Sequence, residues 1–135
     1  MTMKIGVALA NAMLAAYETA GGLTPTLTFF SGAVPANCAA ADPTGPLAIM
    51  TLPSDWMAAP SNGTVDKTGT WTFSGAGTSG TILSYRMKTS GAVCFEQGTV
   101  TVTGGGGDLT VDSTNYTNGQ TITVTTWNRN FTSQI

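Results

Sequence analysis

Two hydrophobic periodicities divide the chain. Over residues 4–20, apolar side chains recur at three- and four-residue spacing, which predicts one helix that ends at Gly21-Gly22. The predicted stripe consists of Ile5, Leu9, Ala12, Met13, Ala16, Tyr17 and Ala20. Beyond Gly22 the period changes to two, which predicts strands over residues 26–32, 47–52, 69–74, 108–113 and 120–128 and a hairpin over 81–102. We therefore expect an all-β fold, an antiparallel β-sandwich or jelly roll of six to eight strands, with one N-terminal α-helix (1–22 helix, 23–135 sandwich, one compact domain overall).

The hairpin over residues 81–102 offers a test of register, because facing residues in a ladder lie on the same face of the sheet. One consistent apolar face results when Met87 pairs with Val93, Tyr85 with Phe95 and Ser84 with Glu96. Residues 89–91 then form the loop, with Gly91 at its left-handed position. In this register Glu96 lies on the solvent side, with Arg86 diagonal to it.

The run SGAGTSG (residues 74–80) contains the spacing Gly-x-Gly-x-x-Gly, and Glu96 follows near the place where a dinucleotide-binding enzyme carries its ribose-binding acid. That motif requires a helix directly after the glycines. The following residues, TILSYRMK, alternate with period two and predict a strand instead. We interpret the run as a corner between strands. The GGGGD run at 104–108 is likewise interpreted as a turn, since a single copy does not match a calcium-binding repeat.

Composition narrows the classes of partner. Only 9% of residues are charged and the net charge is −2, against roughly 25% charged residues in typical soluble domains. The five basic residues form no patch, so we expect no nucleic-acid partner. No apolar run approaches the ~20 residues of a membrane span. The N-terminus resembles a weak signal peptide, but its apolar stretch, residues 5–10, is shorter than the ~7–15 residues usual there. We therefore expect synthesis and use in the cytoplasm.

The sequence contains few candidate catalytic or metal-binding residues. The chain has no histidine, and nothing in the sequence marks two of its seven carboxylates as an acid–base pair. Cys38 and Cys94 are isolated, so in a reducing compartment we expect free thiols, and two cysteines do not complete a usual zinc site. We expect no catalytic residue, no cofactor and no metal site.

Two long loops, residues 33–46 and 53–64, and the end of the last strand are candidate contact surfaces. If Ile122 and Val124 point inward, the parity of the strand places Trp127 and Phe131 outside, unless a bulge re-aims them or the helix covers them. Exposed aromatic residues with arginine are typical interface anchors. The predicted interface residues are Trp56, Met57, Trp127, Arg129 and Phe131, with burial of the aromatic residues under the helix as the alternative.

The order of elements resembles a family of small virion proteins of tailed bacteriophages. The likeness rests on the helix with its Gly-Gly end, LTFFSGAVPANCAA, GPLAIMTL, SYRMKTSGAVCFEQGTV and DLTVDSTNYTNGQTITVTTW, and covers nearly the whole chain. It implies a jelly-roll head decoration (cement) protein, assembled in the host cytoplasm onto the outer capsid surface. Its partners would be the major capsid protein and copies of itself, as a dimer or trimer. The alternatives are a tail or fibre protein, or a carbohydrate-binding module whose Trp56, Trp71 or Trp127 stacks on sugars.

Overall fold

The computed structural model describes residues 3–135; residues 1 and 2, part of the predicted helical segment 1–22, lie outside it. The helices are α1 (Val7–Gly21) and a short 3-10 helix (Thr132–Gln134). The first strands are β1 (Thr26–Phe30), β2 (Pro46–Thr51), β3 (Thr64–Asp66), β4 (Thr72–Phe73), β5 (Gly80–Thr81) and β6 (Ser84–Lys88). They are followed by β7 (Cys94–Val102), β8 (Leu109–Val111), β9 (Asn115–Tyr116), β10 (Ile122–Thr126) and β11 (Asn128–Asn130).

The main sheet contains seven strands in the order β2-β1-β6-β7-β8-β10-β4. Its end strands β2 and β4 approach each other, so the sheet nearly closes around the core. Two small sheets, β11-β3 and β5-β9, complete an all-β, sandwich-like fold with an N-terminal helix, as the sequence predicts. The four strands of the small sheets are additional to the six to eight expected. None of the helices within residues 3–135 has the length and apolar character needed to cross a membrane.

All strand pairs are antiparallel as expected except β7 and β8, which run parallel. The GGGGD segment joins them and brings the chain back alongside β7, so that Thr101 lies beside Thr110. Glycine is required for this close return, because a Cβ added to Gly105 or Gly107 would lie 2.7 Å or 2.8 Å from atoms of Thr101. The interpretation of this run as a turn is confirmed, and the turn is packed against its own strand.

The SGAGTSG run is a corner between β4 and β5, as predicted, with strands on both sides. Gly77 lies so close to its neighbours that an added Cβ would be 2.5 Å from the Leu47 carbonyl oxygen and 2.5 Å from the Tyr116 hydroxyl. The backbone of the corner is held by Thr78 N–H, which donates to the Leu47 carbonyl at 2.8 Å, and by Gly77 N–H, which donates to the Asn118 side chain at 3.0 Å.

The predicted register of the β6–β7 hairpin is wrong. The structure pairs Tyr85 with Gly98, Arg86 with Gln97 and Met87 with Glu96, and a bulge follows Met87. Arg86 is buried rather than solvent-facing. The physical reason is that loop 31–45 covers this face of β6, where Asp42 and the Asn37 carbonyl accept hydrogen bonds from the Arg86 guanidinium at 2.8 Å and 3.1 Å. Both faces of β6 are therefore interior, and alternation does not identify the exposed side.

The expectation of free thiols is also wrong, because Cys38 and Cys94 form a disulfide. It joins loop 31–45 to the start of β7, next to the Arg86 contacts. Asp42 adds a second ion pair with Lys88, at 2.8 Å. Hydrogen bonds from these two cations, with that from Lys88 the largest cause, lower the pKa of Asp42. The predicted contact loop 33–46 is thus firmly attached to the sheet rather than free to move.

Candidate interaction surface

Three of the five predicted interface residues lie in the core. The exposed fractions are 0% for Trp56, 2% for Met57 and 1% for Trp127. For Trp127 the alternative prediction, burial in the core, is therefore the one observed. The rings of Trp56 and Trp127 have centroids 5.7 Å apart, and Trp71 lies 5.6 Å from Trp127, which makes one buried aromatic cluster. Tryptophans buried in this way offer no stacking platform for a sugar. Arg129 and Phe131 are partly exposed, and their role in an interface stays a prediction.

Trp127 is re-aimed inward by a bulge in β10: Val124 pairs with Val111 and Thr126 with Thr110, so β10 has one extra residue here and the alternation shifts by one position. Strand β10 ends at Thr126 in the main sheet, and β11, which starts at Asn128, pairs with β3. Tyr17 of α1 covers Trp127, with ring centroids 6.0 Å apart. The bulge and the helix cover are the two exceptions that the sequence analysis allowed for Trp127.

Glu96 and Arg129 form an ion pair that the sequence did not predict. Arg129 donates from Nε to Glu96 Oε2 at 3.0 Å and from Nη2 to Glu96 Oε1. The Tyr85 hydroxyl also donates to Oε1, and Trp127 Nε1 donates to it at 3.0 Å. The Arg129 guanidinium lies 5.0 Å from the centroid of the Trp127 ring, a cation–π distance. Glu96, expected on the solvent side, is therefore the centre of a satisfied polar cluster.

Burial and charge fix the protonation states in this cluster. Burial, followed by the nearby Glu96 carboxylate, raises the pKa of Tyr85 far above its ordinary value. The same two causes raise the pKa of Tyr17. Burial alone would lower the pKa of Arg129, but the hydrogen bonds and charge of Glu96 outweigh that effect and raise it. Both tyrosines are therefore neutral and Arg129 is charged throughout the physiological pH range.

A polar cleft of about 400 Å³ opens above this cluster, lined by Tyr17, Tyr85, Glu96, Gln97, Asp108, Asn128, Arg129 and Asn130. Its charged groups are committed to bonds within the chain. Asp108 accepts hydrogen bonds from the backbone and side chain of Thr99 at 2.9 Å and 3.0 Å, while its own carbonyl accepts one from Arg129 at 3.1 Å. Across residues 3–135, no group of three or more acidic or cysteine side chains forms a candidate metal site.

The outer face of α1 is apolar and uncovered. The helix packs on the domain through Ala10, Leu14 and Gly21, which lie outside the predicted apolar stripe. Of the stripe residues, Tyr17 packs against the core. Leu9 and Met13 remain 52% and 41% exposed. Eleven of the fifteen residues of this helix are alanine or a larger apolar residue. Its sequence therefore presents more than one apolar stripe, and periodicity alone does not select the inner one.

An apolar groove runs beside the exposed stripe, with a volume of about 220 Å³ and walls made of Met13, Ala16, Tyr17, Ala20 and Phe95. Tyr17 lines both this groove and the polar cleft. Phe95 packs against Trp56, with ring centroids 5.9 Å apart, so the floor of the groove rests on the aromatic core. The stripe, the groove and the cleft together form one continuous surface with an apolar part and a polar rim, which we call the α1 surface.

Comparisons with known proteins give no further identification. No protein-family model matches the chain, and neither a curated protein nor a solved structure shows significant similarity to it.

Proposed function

We propose that the chain is a structural virion protein of a tailed bacteriophage, a decoration (cement) protein that binds the outer surface of the head and stabilises contacts between capsomers. The observation that carries this proposal is the α1 surface: a helix that buries one edge and leaves an apolar stripe uncovered, with Leu9 52% and Met13 41% exposed. The apolar face of a helix normally lies against other protein groups. Exposed apolar surface rimmed by polar groups marks protein–protein contact sites.

The scaffold below this surface is suited to a contact role. Loop 31–45 is attached by the Cys38–Cys94 disulfide and by the Asp42 ion pairs, and Glu96 ties β7 to β11. A rigid surface loses little conformational entropy on binding, which favours association. Repetition over many symmetric copies on a shell makes modest affinity per contact sufficient.

The partners in this proposal are the major capsid protein and further copies of the chain, with assembly in the host cytoplasm. A nucleic acid is a poor candidate because three of the five basic residues, Arg86, Lys88 and Arg129, are already in ion pairs. An enzymatic role is equally poorly supported, since the acidic groups of the cleft accept hydrogen bonds from neighbouring side chains. The resemblance of the sequence pattern to phage decoration proteins supports the same assignment.

Particles that lack the protein test the proposal. We expect heads assembled without it to lose their DNA at lower temperature, or at lower chelator concentration, than intact heads. Adding the purified wild-type chain back should restore the resistance, whereas the matched variant Met13→Glu, altered only on the α1 surface, should restore less. Equal resistance of depleted and intact particles would contradict a cementing role.

A further inference from the structure

The exposed stripe on α1 has a self-complementary pattern of side-chain sizes. Leu9, Met13, Ala16 and Ala20 are spaced by four, three and four residues, so they share one face of the helix. All four are exposed. The two large side chains stand in the N-terminal half of the stripe and the two small ones in the C-terminal half.

This order matches an antiparallel copy of itself. The midpoint of positions 9 and 20 and the midpoint of positions 13 and 16 both fall between Leu14 and Ala15. A two-fold axis at that point places Leu9 opposite Ala20 of a second copy, and Met13 opposite Ala16 of that copy. Each large side chain then meets a small one in both halves of the pair, as an isologous interface requires. Alanines at the contact also allow the helix axes to approach toward the short end of the usual range, about 8 Å.

The groove beside the stripe provides space for the partner's side chains. Its volume of about 220 Å³ is bounded by Met13, Ala16, Tyr17, Ala20 and Phe95, and so adjoins three of the four stripe positions. Two further exposed apolar residues lie close in sequence to residues of this patch. Leu23, 74% exposed, follows the end of α1, and Val93, 64% exposed, precedes Phe95 by two residues.

The charge distribution favours a second copy over a charged partner. Glu18 is the only charged residue of α1. Successive residues of a helix are about 100° apart, so Glu18 lies about 160° around the axis from both Ala16 and Ala20. Pairing of two stripes therefore buries apolar groups against apolar groups and takes no charge out of water.

We infer that α1 forms a two-fold symmetric, antiparallel helix pair with α1 of a second copy of this chain. The inference specifies one partner of the proposed virion protein, and to that extent it rests on the proposed function. The pairing itself is a property of the isolated chain, and its failure would leave attachment to the capsid protein as a separate question.

The first test is the mass of the purified full-length chain by light scattering and sedimentation. We expect the wild type to be a dimer. In Met13→Glu the dissociation constant of the dimer should rise by about 100-fold or more, because a carboxylate would be buried in each half of the pair. Ala15→Glu is the matched control: position 15 is exposed on the same helix but points away from the stripe. It should remain dimeric. A monomeric wild type, or a dimer unaffected by Met13→Glu in a variant that melts like the wild type, would overturn the inference.

Cysteine cross-linking tests the register. A mixture of Leu9→Cys with Ala20→Cys chains, and a mixture of Met13→Cys with Ala16→Cys chains, should form intermolecular disulfides. Leu9→Cys alone should not, because its two copies would be separated by eleven helical residues, about 16 Å. Efficient cross-linking of Leu9→Cys to itself, or of Ala20→Cys to itself, would indicate a parallel arrangement and contradict the two-fold axis proposed here. Binding of the uncross-linked chain to depleted heads, measured separately, distinguishes a wrong pairing from a wrong function.

Discussion

The Arg129 guanidinium donates hydrogen bonds to both carboxylate oxygens of Glu96, from Nε to Oε2 at 3.0 Å and from Nη2 to Oε1. The side chains are only 18% and 9% exposed. This contact joins β11, which belongs to a small sheet, to β7 in the middle of the main sheet. It also positions Tyr85 and Trp127, so one acidic residue organises the base of the polar cleft.

Glu96→Gln should destabilise the protein by roughly 2–4 kcal/mol, because it leaves the partly buried Arg129 charge without a counter-charge. Urea unfolding followed by tryptophan fluorescence measures this loss. Glu18→Gln, at an exposed helix position, is the control and should change the free energy of unfolding by less than about 0.5 kcal/mol. Equal stability of the two variants would show that the ion pair contributes nothing.

Tyr85 should make the fold sensitive to alkaline pH. Its pKa is raised in the folded state, so above about pH 10 the unfolded chain releases this proton while the folded chain keeps it. The contribution of Tyr85 to the free energy of unfolding is therefore complete below about pH 10 and decreases as the pH rises further. In Tyr85→Phe that part of the loss should be absent, and the free energy of unfolding should fall less steeply between pH 10 and 11. Parallel pH profiles for the two proteins would contradict the raised pKa.

The disulfide should contribute strongly to stability. It joins residues 56 positions apart, for which the loop-entropy relation gives about 4 kcal/mol. The double variant Cys38→Ser, Cys94→Ser should be less stable by an amount of that order. A thiol assay of the denatured, unreduced protein should find no free thiol. Detection of two thiols per chain, in protein purified without reductant, would show that the bond does not form.

The glycine corner allows a matched pair of substitutions. Gly77→Ala should destabilise the protein by about 1–3 kcal/mol, because the new Cβ would lie 2.5 Å from the Leu47 carbonyl oxygen. Gly91→Ala meets nothing closer than the Thr89 hydroxyl at 3.7 Å and should be nearly neutral. Thermal unfolding measures both, and a neutral Gly77→Ala would mean that this corner is not tightly packed.

Sequence periodicity was sufficient for the fold class and for the existence of the helix and most main-sheet strands. It failed where burial depends on residues far apart in the chain. Arg86 has the parity of a solvent-facing residue, yet loop 31–45 covers it with Asp42. Trp127 has the parity of an exposed residue, yet a bulge in β10 shifts the alternation just before it. Neither feature can be recognised from the residues next to Arg86 or Trp127 in the sequence.

The α1 surface could be predicted only in part. The apolar character of the helix is evident in its sequence, but the choice of the buried edge depends on which side fits the core: Leu14 enters it, while Leu9 and Met13 do not. The Glu96–Arg129 pair carried one usable signal. The chain has only seven acidic and five basic residues, so a glutamate between Phe95 and Gln97 in a strand indicates a specific partner for its charge.

The most direct test of the central claim is a density map of virus particles that carry a labelled copy of this chain. The decoration role predicts density at regular positions on the outer surface of the head, with α1 enclosed by neighbouring protein. Label confined to the tail or its fibres would contradict that role and favour a tail protein. Particles without any label would contradict a virion role altogether.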